Sequence, residues 1–126
     1  MNNKDAAAKG KIGLSAVPCN ALFWTAAACE FGARKYGRHN WREEGLIASV
    51  YYDAMMRHAM RYYEGEKNDP DSELPHLAHV AATALILLDG HEHGLIDDRP
   101  HPRLDFIEEI QRVVDGWVDL DLHGDA

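Results

Sequence analysis

From Arg57 to His79 the sequence reads RHAMRYYEGEKNDPDSELPHLAH, in which 23 positions hold three histidines, five carboxylates and two arginines. Imidazole nitrogens and carboxylate oxygens are the donors that hold divalent metals, and guanidinium groups hold phosphate. His76 and His79 are three residues apart, so on a helix they share one face, and Thr83 lies a turn further along it. His58 falls on the inward stripe of the preceding helix, with Glu66 and Asp69 in the loop between the two. Helical bundles often bind metals through His and carboxylates on facing helices. Mixed oxygen and imidazole donors suit Mn²⁺ or Mg²⁺ with phosphate, or Zn²⁺ and Co²⁺ where nitrogen dominates. The competing reading is a solvated turn in which Asp71 or Ser72 caps the helix that follows, starting near Pro75, a role expected of Ser72 in either case.

A second group of residues lies in FGARKYGRHNW, positions 31 to 41. Arg34, Lys35 and Arg38 beside glycine turns can hold phosphate, while Asn40 offers a paired donor and acceptor to a base edge. Trp41 and the tyrosines supply stacking surfaces. The plain alternative is a helix C-terminus decorated with cations to suit its dipole. The alternate histidines His91 and His93 stand in a loop and are expected to face solvent.

Positioning these groups requires helices. Residues 1 to about 15 are polar and are expected to be loose or to wrap over the surface. A first helix is predicted from Pro18 to Tyr36, closed by Gly37, followed by a break at GRHNWREEG. A second runs from about Leu46 to Glu64 with the stripe Ile47, Tyr51, Ala54, Met55, His58 and Tyr62. A third starts near Pro75 and stops at Gly90, with another loop at HEHGLIDDRPHP. The fourth, RLDFIEEIQRVVDGW, carries Phe106, Ile110, Val113, Val114 and Trp117 as core or subunit interface, and residues 118–126 form an acidic tail. No strand-like alternation occurs, so an all-α bundle is expected in one domain spanning 1–126, with residues 1–14 as its loose N-terminal segment.

The chain has 13 basic and 21 acidic side chains, for a net charge of −8, which argues against a partner that is a nucleic-acid polymer. The longest apolar runs, such as Leu85–Leu88, are too short to span a bilayer, and the N-terminal residues lack the apolar core of a secretory signal. Cys19 and Cys29 are ten apart on one helix, too far for a disulfide, and read as small buried residues of a reducing cytosol. No His is followed directly by Asp, and no phosphate-binding P-loop or G-x-S-x-G is present.

The ordered blocks KYGRHNW, RH, GEKNDPDS and HLAHVAA resemble the pattern of a phage-rich branch of the MazG-like all-α nucleotide pyrophosphohydrolases, over roughly residues 14 to 89. This MazZ-like branch is that of the dATP/dGTP diphosphohydrolases of phages that replace adenine with 2-aminoadenine. The resemblance implies Mg²⁺- or Mn²⁺-dependent hydrolysis of a purine deoxynucleoside triphosphate to monophosphate and pyrophosphate, feeding 2-aminoadenine nucleotide synthesis. It also implies a homodimer or homotetramer in the (host) cytoplasm. Lys35, Tyr36, Asn40, Trp41, Arg57 and Thr83 would then touch substrate. Glu66 and Asp69 would be catalytic, and would hold the metal together with His58, His76 and His79.

MazG itself places its metal carboxylates in an E-E-x-x-E helix and a later E-x-x-D helix. The corresponding positions here are Arg57, His58 and Arg61, then His76 and His79, and E-x-x-D occurs only as Glu66 to Asp69. Within the nearer branch, Glu73 stands where Gly is usual and Thr83 where Asn is common. The rival expectations are a non-enzymatic helical phage accessory protein that binds a host partner, or a pyrophosphohydrolase for another nucleotide.

Overall fold

Helix α2 (Cys19–Tyr36) begins directly after Pro18 and ends at Gly37, whose φ of 97° takes the chain out of the helix. Glycine reaches that conformation without penalty, which is why a helix can stop there so abruptly. The computed structural model describes residues 2–100 and 106–119. Its other elements are α1 (Asn3–Ala8), α3 (Asn40–Glu44), β1 (Leu46–Ile47), α4 (Ala48–Tyr63), α5 (His76–Gly90), β2 (Leu95–Ile96) and α6 (Phe106–Asp115), with a 3₁₀ turn over Gly116–Asp119. The fold is all-α.

Helix α5 is the centre, with α4 on one side and α2 on the other. The α2–α5 seam is made of small residues: Ala28, Ala78 and Ala82 are buried, with Cys29 and Leu74 against them. Alanines let two helices approach closely, and the one buried hydroxyl there, on Thr25, donates to the Ala21 carbonyl at 2.8 Å.

Several sequence expectations change at the joints. Residues 2–15 are exposed, and Asn2 and Asp5 form a reciprocal cap that starts helix α1. The GRHNWREEG break contains α3, entered through His39 at φ 58°. Gly90 is not a left-handed stop; it is the last residue of α5, and a Cβ there would lie 2.5 Å from Leu46 Cδ2. It is glycine because fully buried Leu46 needs the space.

The expected loop after α5 contains β2, which pairs in parallel with β1, Leu46 opposite Leu95 and Ile47 opposite Ile96. Two-residue strands are too short for alternation to reveal. Just beyond, Asp98 accepts hydrogen bonds from the Ser49 amide and hydroxyl and so caps the first turn of α4.

On α4 the middle of the expected stripe, Tyr51, Ala54, Met55 and His58, is half-buried, while Ile47 and Tyr62 at its ends are exposed. Cys19 is exposed and only Cys29 is partly covered, because the start of α2 overhangs the seam. The α6 residues Ile110, Val113, Val114 and Trp117 are exposed, so they are not core of this chain. The start expected for that helix at residues 103–105, and most of the acidic tail, lie outside the described residues.

Candidate functional site

The loop between α4 and α5 is tied to itself at every turn. The Glu66 amide donates to the Arg61 carbonyl, Asp69 to Leu74, Glu73 to Asp69, and His76 to Lys67, all at 2.8 to 2.9 Å. Asp69 Oδ2 accepts the Ser72 amide at 2.9 Å, the self-bonded turn that Asp favours. Glu73 sits at φ 62°, a left-handed conformation that a side chain resists. Ser72 does not cap α5, whose first turn follows Pro75 with no side-chain cap. Its hydroxyl instead accepts the Leu74 amide and shares a 2.6 Å hydrogen bond with His79 Nε2. Asp71 does not cap either; it pairs with Lys35 at 3.1 Å.

This fixed loop presents its acids to three imidazoles. His58 Nδ1 and His76 Nδ1 stand 2.8 Å apart, so a single proton fits between them. His76 is fully buried, and its Nε2 meets Glu66 Oε1 at 2.6 Å. An ionised carboxylate only accepts, so Glu66 fixes the proton of His76 on Nε2 and leaves Nδ1 as the acceptor of the His58 Nδ1–H. His79 stacks on His58 with centroids 4.5 Å apart and rings 13° from parallel. Donor atoms of His58, Asp69 and His76 all lie within 4.8 Å of one another. Two imidazoles and one carboxylate, with one imidazole braced by a second carboxylate, are a donor set that fits a divalent transition metal.

Electrostatics agree with neutral imidazoles. Burial pushes His58 below its ordinary range, helped by the neighbouring His79, and burial likewise lowers His79. Burial alone would raise Asp69, but hydrogen bonds from Ser72 and the nearby imidazoles hold it below the usual carboxylate range. Uncharged nitrogens beside a charged carboxylate are the protonation states that ligands require.

The groups open onto a cavity of about 1060 Å³ between α2 and α4, floored by α5. Lys35, Tyr36, Asn40, Trp41, Arg57 and Thr83, drawn from four separate segments, all line it. His58, Asp69 and His79 line its wall as well, whereas Glu66 and His76 stand behind. The cavity therefore has a charged end, and elsewhere aromatic and apolar walls that include Tyr51, Val50 and Ile86. Lys35 lies 4.8 Å above the Phe31 ring, and its pairing with Asp71 raises its affinity for the proton. Arg34 and Arg38 both pair with Glu30, and of these Arg38 and Glu30 line the cavity while Arg34 does not. His91 and His93 are exposed.

Sequence reasoning missed Asp89, at the end of α5. It accepts the Trp41 indole N–H at 2.7 Å and a two-pronged bond from Arg42. No local spacing announces a partner 47 or 48 residues away.

The family model described as dATP/dGTP diphosphohydrolase, N-terminal, matches residues 1–99. A dATP/dGTP diphosphohydrolase of Salmonella phage PMBT28 is 29% identical over 92 residues, which cover 73% of this chain and 29% of that relative. The chain thus spans under a third of the length of that relative. No solved structure matches.

Proposed function

The chain belongs to the family of the dATP/dGTP diphosphohydrolase N-terminal domain, and on that footing we propose that its cavity binds a purine deoxynucleoside triphosphate for hydrolysis to monophosphate and pyrophosphate. The observation that carries this is the convergence of Lys35, Asn40, Trp41, Arg57 and the His58–Asp69 cluster on one cavity of nucleotide size.

His58, Asp69 and His76 would hold the divalent cation, Mn²⁺ or Mg²⁺, with Co²⁺ or Zn²⁺ also suited to the nitrogens. When bound, it would neutralise phosphate charge and acidify a water. Glu66 holds the His76 ring in register, and His79 supports His58 from its stacked face. Asp69, on the cavity wall, is the acceptor for a proton leaving the attacking water, while Glu66 stands behind the wall and acts through His76. Lys35 and Arg57 stabilise the triphosphate and the departing pyrophosphate. Tyr36, Asn40, Trp41 and Thr83 bound the base and sugar.

In a phage that makes 2-aminoadenine nucleotides, dGMP released in the host cytoplasm would feed that synthesis while dATP and dGTP fall. This role rests on the family resemblance. In this reading the partner is a small nucleotide. No helix among the described residues is long and apolar enough to cross a membrane.

The test is a panel of nucleoside triphosphates with Mn²⁺ or Mg²⁺, reading pyrophosphate against orthophosphate. Purine deoxynucleotides should yield pyrophosphate and monophosphate, and the reaction should stop with chelator. Release of orthophosphate, or no turnover with any metal, overturns the reading.

A further inference from the structure

The segment carrying Trp41 is gripped more tightly than a short surface turn requires. Asp89 takes the indole N–H at 2.7 Å, while Arg42 binds the same carboxylate through Nε at 3.0 Å and Nη2 at 2.7 Å. Behind the residue, Gly94 packs so close that a Cβ on it would lie 2.2 Å from the Trp41 carbonyl oxygen. His39, in its left-handed conformation, meets the indole edge-on with centroids 5.6 Å apart. Trp41 lines the cavity and Asp89 does not.

Arg42 takes one lone pair on each carboxylate oxygen, which leaves Asp89 a further lone pair for the indole N–H, so the indole bond is made beside the ion pair and not in place of it. What it does is fix the rotation of a large flat ring at the wall of the cavity. A free indole loses rotamer freedom when a base stacks on it, whereas one already held has lost it on folding.

We propose that Asp89 is a positioning residue for the base: it holds Trp41 as a preformed platform on which the purine ring stacks, and thereby sets affinity for the base without touching substrate. The proposal rests on the nucleotide reading of the cavity given above.

Steady-state kinetics on dGTP with Mn²⁺ test it, alongside inorganic triphosphate as a competitive inhibitor that has no base. Asp89→Ala should raise KM for dGTP roughly 10-fold, in line with the loss of a base–aromatic stack. It should leave kcat within about 2-fold and the inhibition constant of inorganic triphosphate unchanged, since the charged end of the cavity is not altered. Trp41→Phe deletes the N–H and keeps Asp89 paired with Arg42, so it should fold and raise KM by itself. In the Trp41→Phe background, Asp89→Ala should add nothing. Arg42→Leu, which spares the indole bond, should leave KM for dGTP near wild type.

A dGTP KM that stays at the wild-type value in Asp89→Ala or Trp41→Phe overturns the proposal. Equal weakening of dGTP and inorganic triphosphate also overturns it, as does full additivity of the two changes. If the wild-type chain turns over no nucleotide, the function proposed above is what fails, and this proposal falls with it.

Discussion

At the scale of single residues, Glu66 and Glu73 do opposite things with the same side chain. Glu66 braces His76, and replacing it by Gln keeps an acceptor but removes the charge. Turnover is expected to be lost, and Mn²⁺ affinity to fall about 10- to 100-fold by titration calorimetry, with helicity by circular dichroism unchanged. Unaltered turnover and Mn²⁺ affinity in that variant would show the loop acids to be a solvated turn. Glu73 contributes no bond that requires its carboxylate and is held at φ 62°. Glu73→Gly should therefore stabilise the protein by about 1 kcal/mol, read as a rise in Tm.

The imidazoles set the pH response. His58 and His79 are lowered in the fold, chiefly by burial. The folded state binds protons less readily than the unfolded one, so their contribution is complete above about pH 6.5 and is lost as pH falls through the depressed folded values. Tm measured between pH 7.5 and 5 should drop accordingly, and activity with it. His58→Gln should flatten that part of the profile.

Among the elements, long periodic helices were legible in the sequence because their information is local. Cys19–Tyr36, Ala48–Tyr63 and His76–Gly90 each fall within a few residues of expectation, marked by Pro18, Pro75 and the apolar spacing. The clustering of Lys35, Trp41, Arg57 and Asp69 was suggested by residue type and family pattern, but only packing of α2 and α4 on α5 brings them to one cavity. What stayed hidden was tertiary: Gly90 making room for Leu46, Ser72 turned to His79, and Asp89 reaching Trp41. The two-residue strands were also invisible, since each is shorter than one period of any pattern. Gly94 is the joint on which they meet α3, with φ 88° and the Trp41 backbone in contact range. Gly94→Ala is expected to cost about 3 kcal/mol or more by urea denaturation, since both backbone strain and a clash with backbone oppose it. A midpoint unchanged from wild type would show that this corner is not held as tightly as it looks.

For the molecule as a whole, the buried apolar set is small: Ala28, Leu46, Ala48, Ala78 and Ala82 among the described residues. Phe23, Trp24 and Leu88 are 76%, 51% and 71% exposed, on two adjacent helices. A separate apolar groove of about 380 Å³ between α2 and α5 is lined by Val17, Leu22, Leu85 and Leu88. Such surface is more than a small monomer usually leaves in water, so a homodimer or homotetramer is expected. Light scattering at micromolar concentration should show one, and a strict monomer would refute this. The hydrogen bonds from Ser49 to Asp98 join two distant parts of the chain. They fasten the end of the region matched by the family to the start of the helix that carries His58. The segment that closes the matched region thereby reaches back to the helix of the candidate site, so Asp98 is tied to His58 through one helix and not through the cavity wall.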